Sequence, residues 1–358
     1  MSNNNILQDD IKIEVTQDIT PEVIDGLKLY ASLTSRQFNQ DKWLYWFKYN
    51  PYGKGLHAIA KYRESVIGFY SLIPTEFFLA GKFFIGAKGE FLVVDPVYRN
   101  KRVKGSSYPL AIDLIKTLNC EASYQGICVI LAVAVGRAAQ CHKFLGAKKF
   151  EFSCQNYFTF FRMPDMIKNR IKRNLIQIAL FSGIFSFPKR VLKIKSFMRN
   201  CKHEINRVQM LNSDREYNFQ RANRLVSSSS KMINFRFPDK EYIKYMIHGD
   251  QNTNYFVFTK PEYKSNVVLK DWSTLDLKKS EFEFILNDIF MECDIQKAES
   301  LNLYIPYEHQ KIRKLLHSIG LPSRKSNSTF FYLYAPDDLI SELRFYPWEF
   351  TNAHIGYI

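Results

Sequence analysis

The sequence predicts a mixed α/β fold, in which helices pack on a sheet of parallel and antiparallel strands, built twice along the chain. Three observations support this prediction. The chain has 358 residues, more than one hydrophobic core usually serves, and 46% of them are hydrophobic. Residues 11–161 follow the order β-α-α-β-β-β-β-β-α-β-α-β-β, which is not that of a doubly wound sheet. The last third repeats parts of this order in weak form.

Capping residues, a turn and strand-like runs predict the N-terminal elements. Residues 11–15 alternate as a short strand. Thr20 is predicted to be the N-cap of a first helix, with Pro21 at its first position. Asp41 is predicted to cap a second helix over residues 42–49. Strand-like runs follow at residues 56–62, 66–72, 76–79, 82–85 and 91–94, with a hairpin turn at residues 80–81.

The segment after the last of these runs is the most informative part of the chain. The apolar strand ends at Asp95, a basic loop follows, and a helix is predicted from about residue 106 to 118. A strand that enters a helix through a tight loop presents backbone N–H groups to a phosphate. The remaining elements, predicted to complete the first sheet, are a strand, a short helix and two strands at residues 127–135, 138–145, 148–153 and 157–161.

Three segments of the last third resemble segments of the first half, in the same order, and we call each such similarity an echo. They pair residues 41–49 with 239–247, 142–146 with 316–320, and 157–161 with 329–334. Further predicted elements are strands at residues 255–259, 267–269 and 301–305 and a helix at residues 279–297. A spacing of roughly 175–200 residues is too long for a solenoid and indicates a duplicated domain.

The segment between the two copies differs in composition. Residues 162–202 contain eleven lysines or arginines and one acidic residue. The apolar stretch at residues 175–187 is too short to span a bilayer, so it either lies in a membrane interface or packs as a buried helix between two domains. The predicted division is therefore an N-terminal domain at residues 1–162, a basic linker at 163–209 and a C-terminal domain at 210–358.

Charge and motifs restrict the function. The net charge of +15 favours polyanionic partners such as phosphate-bearing ligands, anionic lipid, nucleic acid or an acidic protein, although it also suits a merely solubilising surface. The six cysteines form no C-x-x-C pair, which indicates reduced thiols in a cytoplasmic protein. The chain has no Walker loop, no H-E-x-x-H, no G-x-S-x-G and no zinc-ligand spacing, so we expect no metal.

The order of these elements, with Arg99 and Val103 in the basic loop, resembles the acetyl-CoA-binding half of the GNAT (N-acetyltransferase) superfamily. The whole chain resembles bacterial two-domain proteins of that superfamily. The resemblance implies two GNAT-like acyl-CoA N-acyltransferase domains in tandem, the second of them degenerate. It implies transfer of an acetyl or longer acyl group from acyl-CoA to a primary amine, with an amino sugar or another cell-envelope or biosynthetic intermediate as the acceptor.

The resemblance also implies a pyrophosphate loop after the strand. The superfamily pattern is Arg/Gln-x-x-Gly-x-Gly/Ala, in which Arg99 fits while Arg102 and Lys104 replace the two glycines. Either these side chains point outward and reach a phosphate, or Gly105 and Ser106 shift the loop along the chain. The implied cofactor-binding residues are Leu92, Val93 and Val94 along the pantetheine arm and Arg99, Asn100, Lys101, Arg102, Val103, Lys104, Gly105 and Ser106 in the loop.

The resemblance further implies a base and an acid. Glu90 stands four residues before Val94, and strand alternation predicts that its side chain lies on the face of Leu92 and Val94. Apolar neighbours there suit a base that works near neutral pH; the alternative is a strand-end carboxylate facing solvent. His142 occupies the position of the superfamily's acid, with Tyr157 as the alternate acid. The alternative for His142 is a surface histidine on a helix.

Two other functions fit the sequence. A FemAB-like aminoacyl transferase, which also has two GNAT folds, would use charged tRNA, would not bind CoA and would bind RNA in a salt-sensitive way. A non-catalytic GNAT scaffold would bind a partner or an anionic membrane and would tolerate changes at Glu90 and His142. The expected location is the cytoplasm, with a peripheral contact at the inner face of the cell membrane if residues 163–202 meet lipid.

Overall fold

The computed structural model describes residues 11–161, 207–208, 229–248, 253–262, 265–272, 279–307, 309–325 and 329–343. Within these ranges the chain forms two seven-stranded mixed sheets with helices, as the α/β prediction required. The apolar stretch at residues 175–187 and most of the predicted linker lie outside the described residues. No helix in the described ranges is both long enough and apolar enough to cross a membrane.

The first half of the chain supplies seven strands and four helices in the described residues. In order they are β1 Ile11–Thr16, α1 Pro21–Leu33, α2 Gln40–Lys48, β2 Leu56–Tyr62, β3 Ser65–Leu79, β4 Lys82–Val94, α3 Leu110–Tyr124, β5 Ile130–Val133, α4 Gly136–Phe144, β6 Lys148–Phe152 and β7 Cys154–Phe160. A short 3₁₀ turn at Pro96–Tyr98 follows β4.

The second half supplies the remaining described elements. They are β8 Arg207–Val208, α5 Ser230–Arg236, β9 Tyr242–His248, β10 Thr253–Thr259, β11 Asn266–Trp272, α6 Lys279–Ile295, β12 Ser300–Pro306, α7 Gln310–Ile319, β13 Ser323–Lys325, β14 Thr329–Tyr334 and α8 Asp337–Glu342. The echo between residues 142–146 and 316–320 is structural, since α4 and α7 both end before a glycine with positive φ. The echo between residues 41–49 and 239–247 is not, because the first segment forms α2 and the second mostly β9.

The helix starts follow local capping chemistry. The Thr20 hydroxyl accepts a hydrogen bond from the Val23 N–H, so the predicted cap of α1 is confirmed. For α2 the prediction was wrong by two residues, because the Asn39 side chain accepts from the Lys42 N–H at 3.0 Å. Asp41 lies in the first turn instead, where a carboxylate stabilises the helix dipole.

The strand-like runs predicted between residues 66 and 94 merge into one long hairpin. Strand β3 continues through Pro74 and β4 through Gly86 and Gly89. The predicted turn is confirmed: Ala80 and Gly81 both have positive φ, as two-residue hairpin turns require.

The two sheets exchange one strand each. The first has the order β1-β2-β3-β4-β5-β14-β6 and the second the order β13-β7-β12-β11-β10-β9-β8. Strand β14 therefore lies between β5 and β6, and β7 lies between β12 and β13. The prediction that residues 157–161 complete the first sheet was wrong. Because each half of the chain contributes one strand to the sheet of the other half, dividing the chain near residues 162 and 210 does not separate the two sheets.

We call the first sheet with α1–α4 the first unit and the second sheet with α6 and α7 the second unit. In the first unit, α1 and α2 cover one face of the sheet and α3 and α4 the other. Helix α5 joins the units. Its Met232 and Phe235 pack into the core beneath α1 and α2, while Ile233 packs against the second sheet.

The parallel pair β4–β5 leaves no room for a side chain at Gly86. A Cβ atom there would collide with the Val129 carbonyl oxygen and with the Phe77 ring. We expect Gly86→Ala to lower the free energy of unfolding by about 3 kcal/mol, the upper part of the range for overpacked cores. Urea unfolding measures this change. Lys12→Ala at an exposed position of β1 is the control and should stay within about 0.5 kcal/mol of the original chain. Equal losses in the two variants would contradict the packing.

Candidate active site

The parallel pairing between two strands of the first unit is short. The ladder between β4 and β5 runs over three residue pairs, from Ala87–Ile130 to Gly89–Ala132. Strand β4 then continues to Val94 beyond this ladder. The pairing therefore ends at Gly89, and we call the space beside β4 beyond this residue, toward the basic loop, the cleft.

A β-bulge in β4 determines which side chains face each wall of the cleft. The β3–β4 register shifts between the Phe69–Val93 and Ser71–Glu90 pairs, so β4 contains one extra residue, and Phe91 has a φ of 63°. Phe91 and Val93 pack beneath α1 and α2, whereas Leu92 and Val94 pack toward α3.

Glu90 consequently faces α1 and α2. Its partner Ser71 lies between Phe69 and Ile73, which both pack on that side. The prediction that Glu90 shares the face of Leu92 and Val94 was wrong, because simple alternation does not count the bulge residue.

Glu90 lies beside a buried lysine rather than among purely apolar groups. Its Oε1 atom is 3.2 Å from the Nζ atom of Lys88, whose side chain is fully buried. Burial lowers the pKa of Lys88 to about 8; the Glu90 carboxylate opposes this shift, and the Arg236 guanidinium adds to it. Arg236 is buried and comes from α5, so the second half of the chain contributes a charge near Lys88.

A second buried polar pair lies next to Glu90 on the same face. The Nδ1 atom of His57 is 2.8 Å from the hydroxyl of Ser71, the cross-strand partner of Glu90. Burial lowers the pKa of His57 to about 3, so its imidazole is neutral at pH 7. Neither His57 nor Lys88 was predicted from the sequence; the alternation of Lys88 and Glu90 in one strand was the available signal for Lys88.

His142 lies on the opposite face of the sheet, inside the protein rather than on the helix surface. Its Nδ1 atom is 2.8 Å from the Tyr334 hydroxyl, and its ring stacks on Tyr332. Burial lowers the pKa of His142 to about 4, so the ring is neutral at pH 7. Both tyrosines belong to the exchanged strand β14, so the last third of the chain completes this side of the cleft.

The structure does not bring Tyr157 to this site. It lies in the core of the second unit, where its hydroxyl is 3.1 Å from the Nε2 atom of His317. Because β7 joins the second sheet, Tyr157 does not lie with Glu90 and His142, and the prediction that it is the alternate to His142 as the acid was wrong.

The basic loop folds over the start of α3. Gly105 has a φ of 77° and supplies the left-handed residue that the loop lacks at 102 and 104. The Ser106 hydroxyl donates to Asp113 at 2.7 Å, which ties the loop to the first turn of α3. Burial raises the pKa of Asp113, although Ser106 and Lys116 oppose the shift.

The cationic side chains of the loop point outward at the open end of the cleft. Arg99, Arg102 and Lys104 are exposed, and the Arg99 Nε atom donates to the Val94 carbonyl at 3.4 Å. Asn100 is also exposed, and Lys101 and Val103 are partly buried. A groove of about 690 Å³ continues from Lys104 along α3. Among the described residues no His, Cys, Asp or Glu cluster is placed to hold a metal ion.

The neutral His142 predicts a loss of stability in acid. Its pKa falls from the usual 6.5 to about 4 on folding, so the unfolded chain binds more protons between these values. The contribution of neutral His142 to the free energy of unfolding is about 3 kcal/mol. It is present above pH 6.5 and should be lost as the pH falls to 4. Urea unfolding from pH 7 to 4 measures it. His142→Gln should show a shallower fall, and an unchanged pH dependence in that variant would contradict the assignment.

Comparisons with solved structures find the same fold in several other proteins. No protein-family model matches the sequence, and no curated protein matches it either. A GCN5-related N-acetyltransferase from Kribbella flavida is 11% identical with a TM-score of 0.58, and the match covers 90% of this chain and 71% of that one. A conserved protein of unknown function from Enterococcus faecalis V583 is 7% identical with a TM-score of 0.55, covering 90% and 72%. A GCN5-related N-acetyltransferase from Anabaena variabilis ATCC 29413 is 12% identical with a TM-score of 0.50, also covering 90% and 72%. At these identities the likeness shows the fold alone.

Proposed function

Because the chain has the fold of the GCN5-related N-acetyltransferases in two copies, we propose that it transfers an acyl group from acyl-CoA to a primary amine. One observation carries the proposal. The cleft between β4 and β5 has the Glu90 carboxylate on one face, the His142–Tyr334 pair on the other, and a cationic loop at its open end.

The donor would enter from the loop. Arg99, Arg102 and Lys104 supply exposed positive charge for the phosphates of CoA, and the groove along α3 has room for the nucleotide. The pantetheine arm would extend along Leu92, Val93 and Val94 beside the parted strands. Acetyl-CoA or another acyl-CoA is the proposed cosubstrate, and the reaction needs no metal.

The acceptor amine would approach from the side of α1, α2 and α5. Glu90 takes its proton, and the Lys88 Nζ atom lies 3.2 Å from the Glu90 Oε1 atom. The amine nitrogen attacks the thioester carbon, a C–N bond forms and the C–S bond breaks. His142 is neutral at pH 7, and burial raises the pKa of Tyr334, so neither group is an acid for the thiolate. The Tyr334 hydroxyl, 2.8 Å from the His142 Nδ1 atom, would donate a hydrogen bond to the leaving thiolate, which takes its proton from water.

The acceptor remains an amino sugar or another cell-envelope or biosynthetic intermediate. A contact of residues 163–202 with anionic membrane belongs to the same proposal, on the basis of their charge.

A transfer assay tests the proposal. The full chain is incubated with acetyl-CoA and a panel of primary amines led by amino sugars, and both released thiol and product mass are followed. We expect transfer to at least one amine, with Tyr157→Phe as a control that retains the rate because Tyr157 lies in the second unit. Absence of enzyme-dependent transfer with acetyl-CoA and longer acyl-CoAs, in a folded protein, would contradict it.

A further inference from the structure

We propose that Tyr70 closes the inner end of the cleft and restricts the donor to a short acyl group, with its hydroxyl donating a hydrogen bond to the thioester that reaches it. This inference rests on the proposed function and adds the chemical class of the donor.

The Tyr70 hydroxyl is a buried polar group without a hydrogen-bond partner among the described residues. Tyr70 lies in β3 and is 1% exposed. Its hydroxyl has no hydrogen-bond partner in the part of the chain that the structure describes. A buried hydroxyl in this state costs stability, and a native protein that retains one needs a reason, such as a ligand that supplies the partner.

The position of this hydroxyl coincides with the closed end of the cleft. It lies so close to Gly89 that a Cβ atom at residue 89 would collide with it. Gly89 is the last residue of β4 in the ladder with β5. The hydroxyl therefore stands at the point where the two strands begin to part.

The walls of the cleft and its inner end differ in polarity. Leu92 and Val94 pack in the same cluster as Tyr70, so they line the path that leads to it. From Val94 to Gly89 this path is roughly 17 Å long, at about 3.3 Å per strand residue. An acyl thioester entering from the loop would pass apolar side chains first and meet the hydroxyl last.

Other polar aromatic groups surround the inner end. The His142 ring centroid is 6.2 Å from that of Tyr70, and Tyr332 and Tyr334 pack around the same imidazole. A hydrocarbon chain that extended past Tyr70 would have to displace its ring and would bury more polar groups without partners. An acetyl-sized group avoids both penalties.

Calorimetry with free CoA, acetyl-CoA and hexanoyl-CoA tests the inference on the full chain. We expect the original protein to bind acetyl-CoA at least tenfold more tightly than hexanoyl-CoA. Tyr70→Ala should remove most of that difference, because it vacates the inner end. Tyr70→Phe should keep the preference for the short chain and lose about 2–10-fold in affinity for acetyl-CoA, with free CoA unaffected.

The controls separate this inference from the fold and from the proposed function. Tyr62→Phe, on the same sheet face, should leave all three affinities unchanged. If Tyr70→Ala does not fold, the isosteric Tyr70→Phe still tests the proposal. If its affinity for acetyl-CoA relative to free CoA equals that of the original protein, the proposal is overturned. Equal affinity of the original protein for acetyl-CoA and hexanoyl-CoA overturns it as well, while the proposed function survives. Absence of binding by all three ligands overturns both.

Discussion

Replacement of Glu90 by glutamine should lower kcat/KM for acyl transfer by about 10²–10⁴-fold, the usual contribution of a general base. The amide has nearly the shape of the carboxylate but cannot accept the amine proton. Acetyl-CoA binding should persist, because Glu90 lies at the inner end of the cleft, away from the cationic loop. Steady-state kinetics and calorimetry on the same preparation measure the two effects separately.

Two further variants distinguish a catalytic from a structural effect. Glu90→Gln leaves the Lys88 ammonium buried beside a neutral amide, which is destabilising. The double variant Lys88→Met, Glu90→Gln removes both charges and should recover stability without recovering activity. Glu64→Gln in an exposed turn is the matched surface control. Recovery of activity in the double variant would show that Glu90 acts through the fold and not as the base.

Separating the two halves of the chain should abolish folding of both. Fragment 1–185 lacks β14, which contributes the buried Phe331 and Leu333 to the first unit and pairs with β5 and β6. Loss of a buried Phe or Leu side chain costs about 2–5 kcal/mol, so the two losses together approach the ~5–15 kcal/mol stability of a typical protein. Fragment 186–358 lacks β7 in the same way. Circular dichroism should therefore show no cooperative thermal transition for either fragment alone.

The co-expressed fragments are the matched control, since they have the same chain ends. They should copurify as a one-to-one complex and melt cooperatively, because β7 and β14 can still exchange. A monomeric fragment 1–185 that melts cooperatively would contradict the strand exchange.

The elements of the first half were predictable because their signals are local. Thr20 caps α1 through a neighbouring N–H, and the turn at Ala80 and Gly81 joins two apolar runs. The exchange of β7 and β14 was not predictable in this way. Both strands carry large buried side chains that suit either sheet, and no local signal tells which sheet accepts them.

The candidate site was predictable in part. Glu90 and His142 were identified by position, but the bulge at Phe91 moves Glu90 to the other face, and a non-glycine residue gives no sequence signal for a positive φ. The burial of His142 depends on Tyr334, a partner 192 residues away. Tyr70 was missed because its importance arises from its contact with Gly89, which only the folded sheet creates.

Calorimetric titration of the full chain with acetyl-CoA tests whether the cleft and the cationic loop form an acyl-CoA site. We predict a dissociation constant on the order of micromolar, weakened at least tenfold in the double variant Arg99→Ala, Lys104→Ala, which removes two exposed cations at the mouth of the cleft. The double variant Lys12→Ala, Lys82→Ala removes the same charge from exposed positions away from the loop and should bind normally. No heat of binding with acetyl-CoA or with longer acyl-CoAs in the original protein would contradict the account.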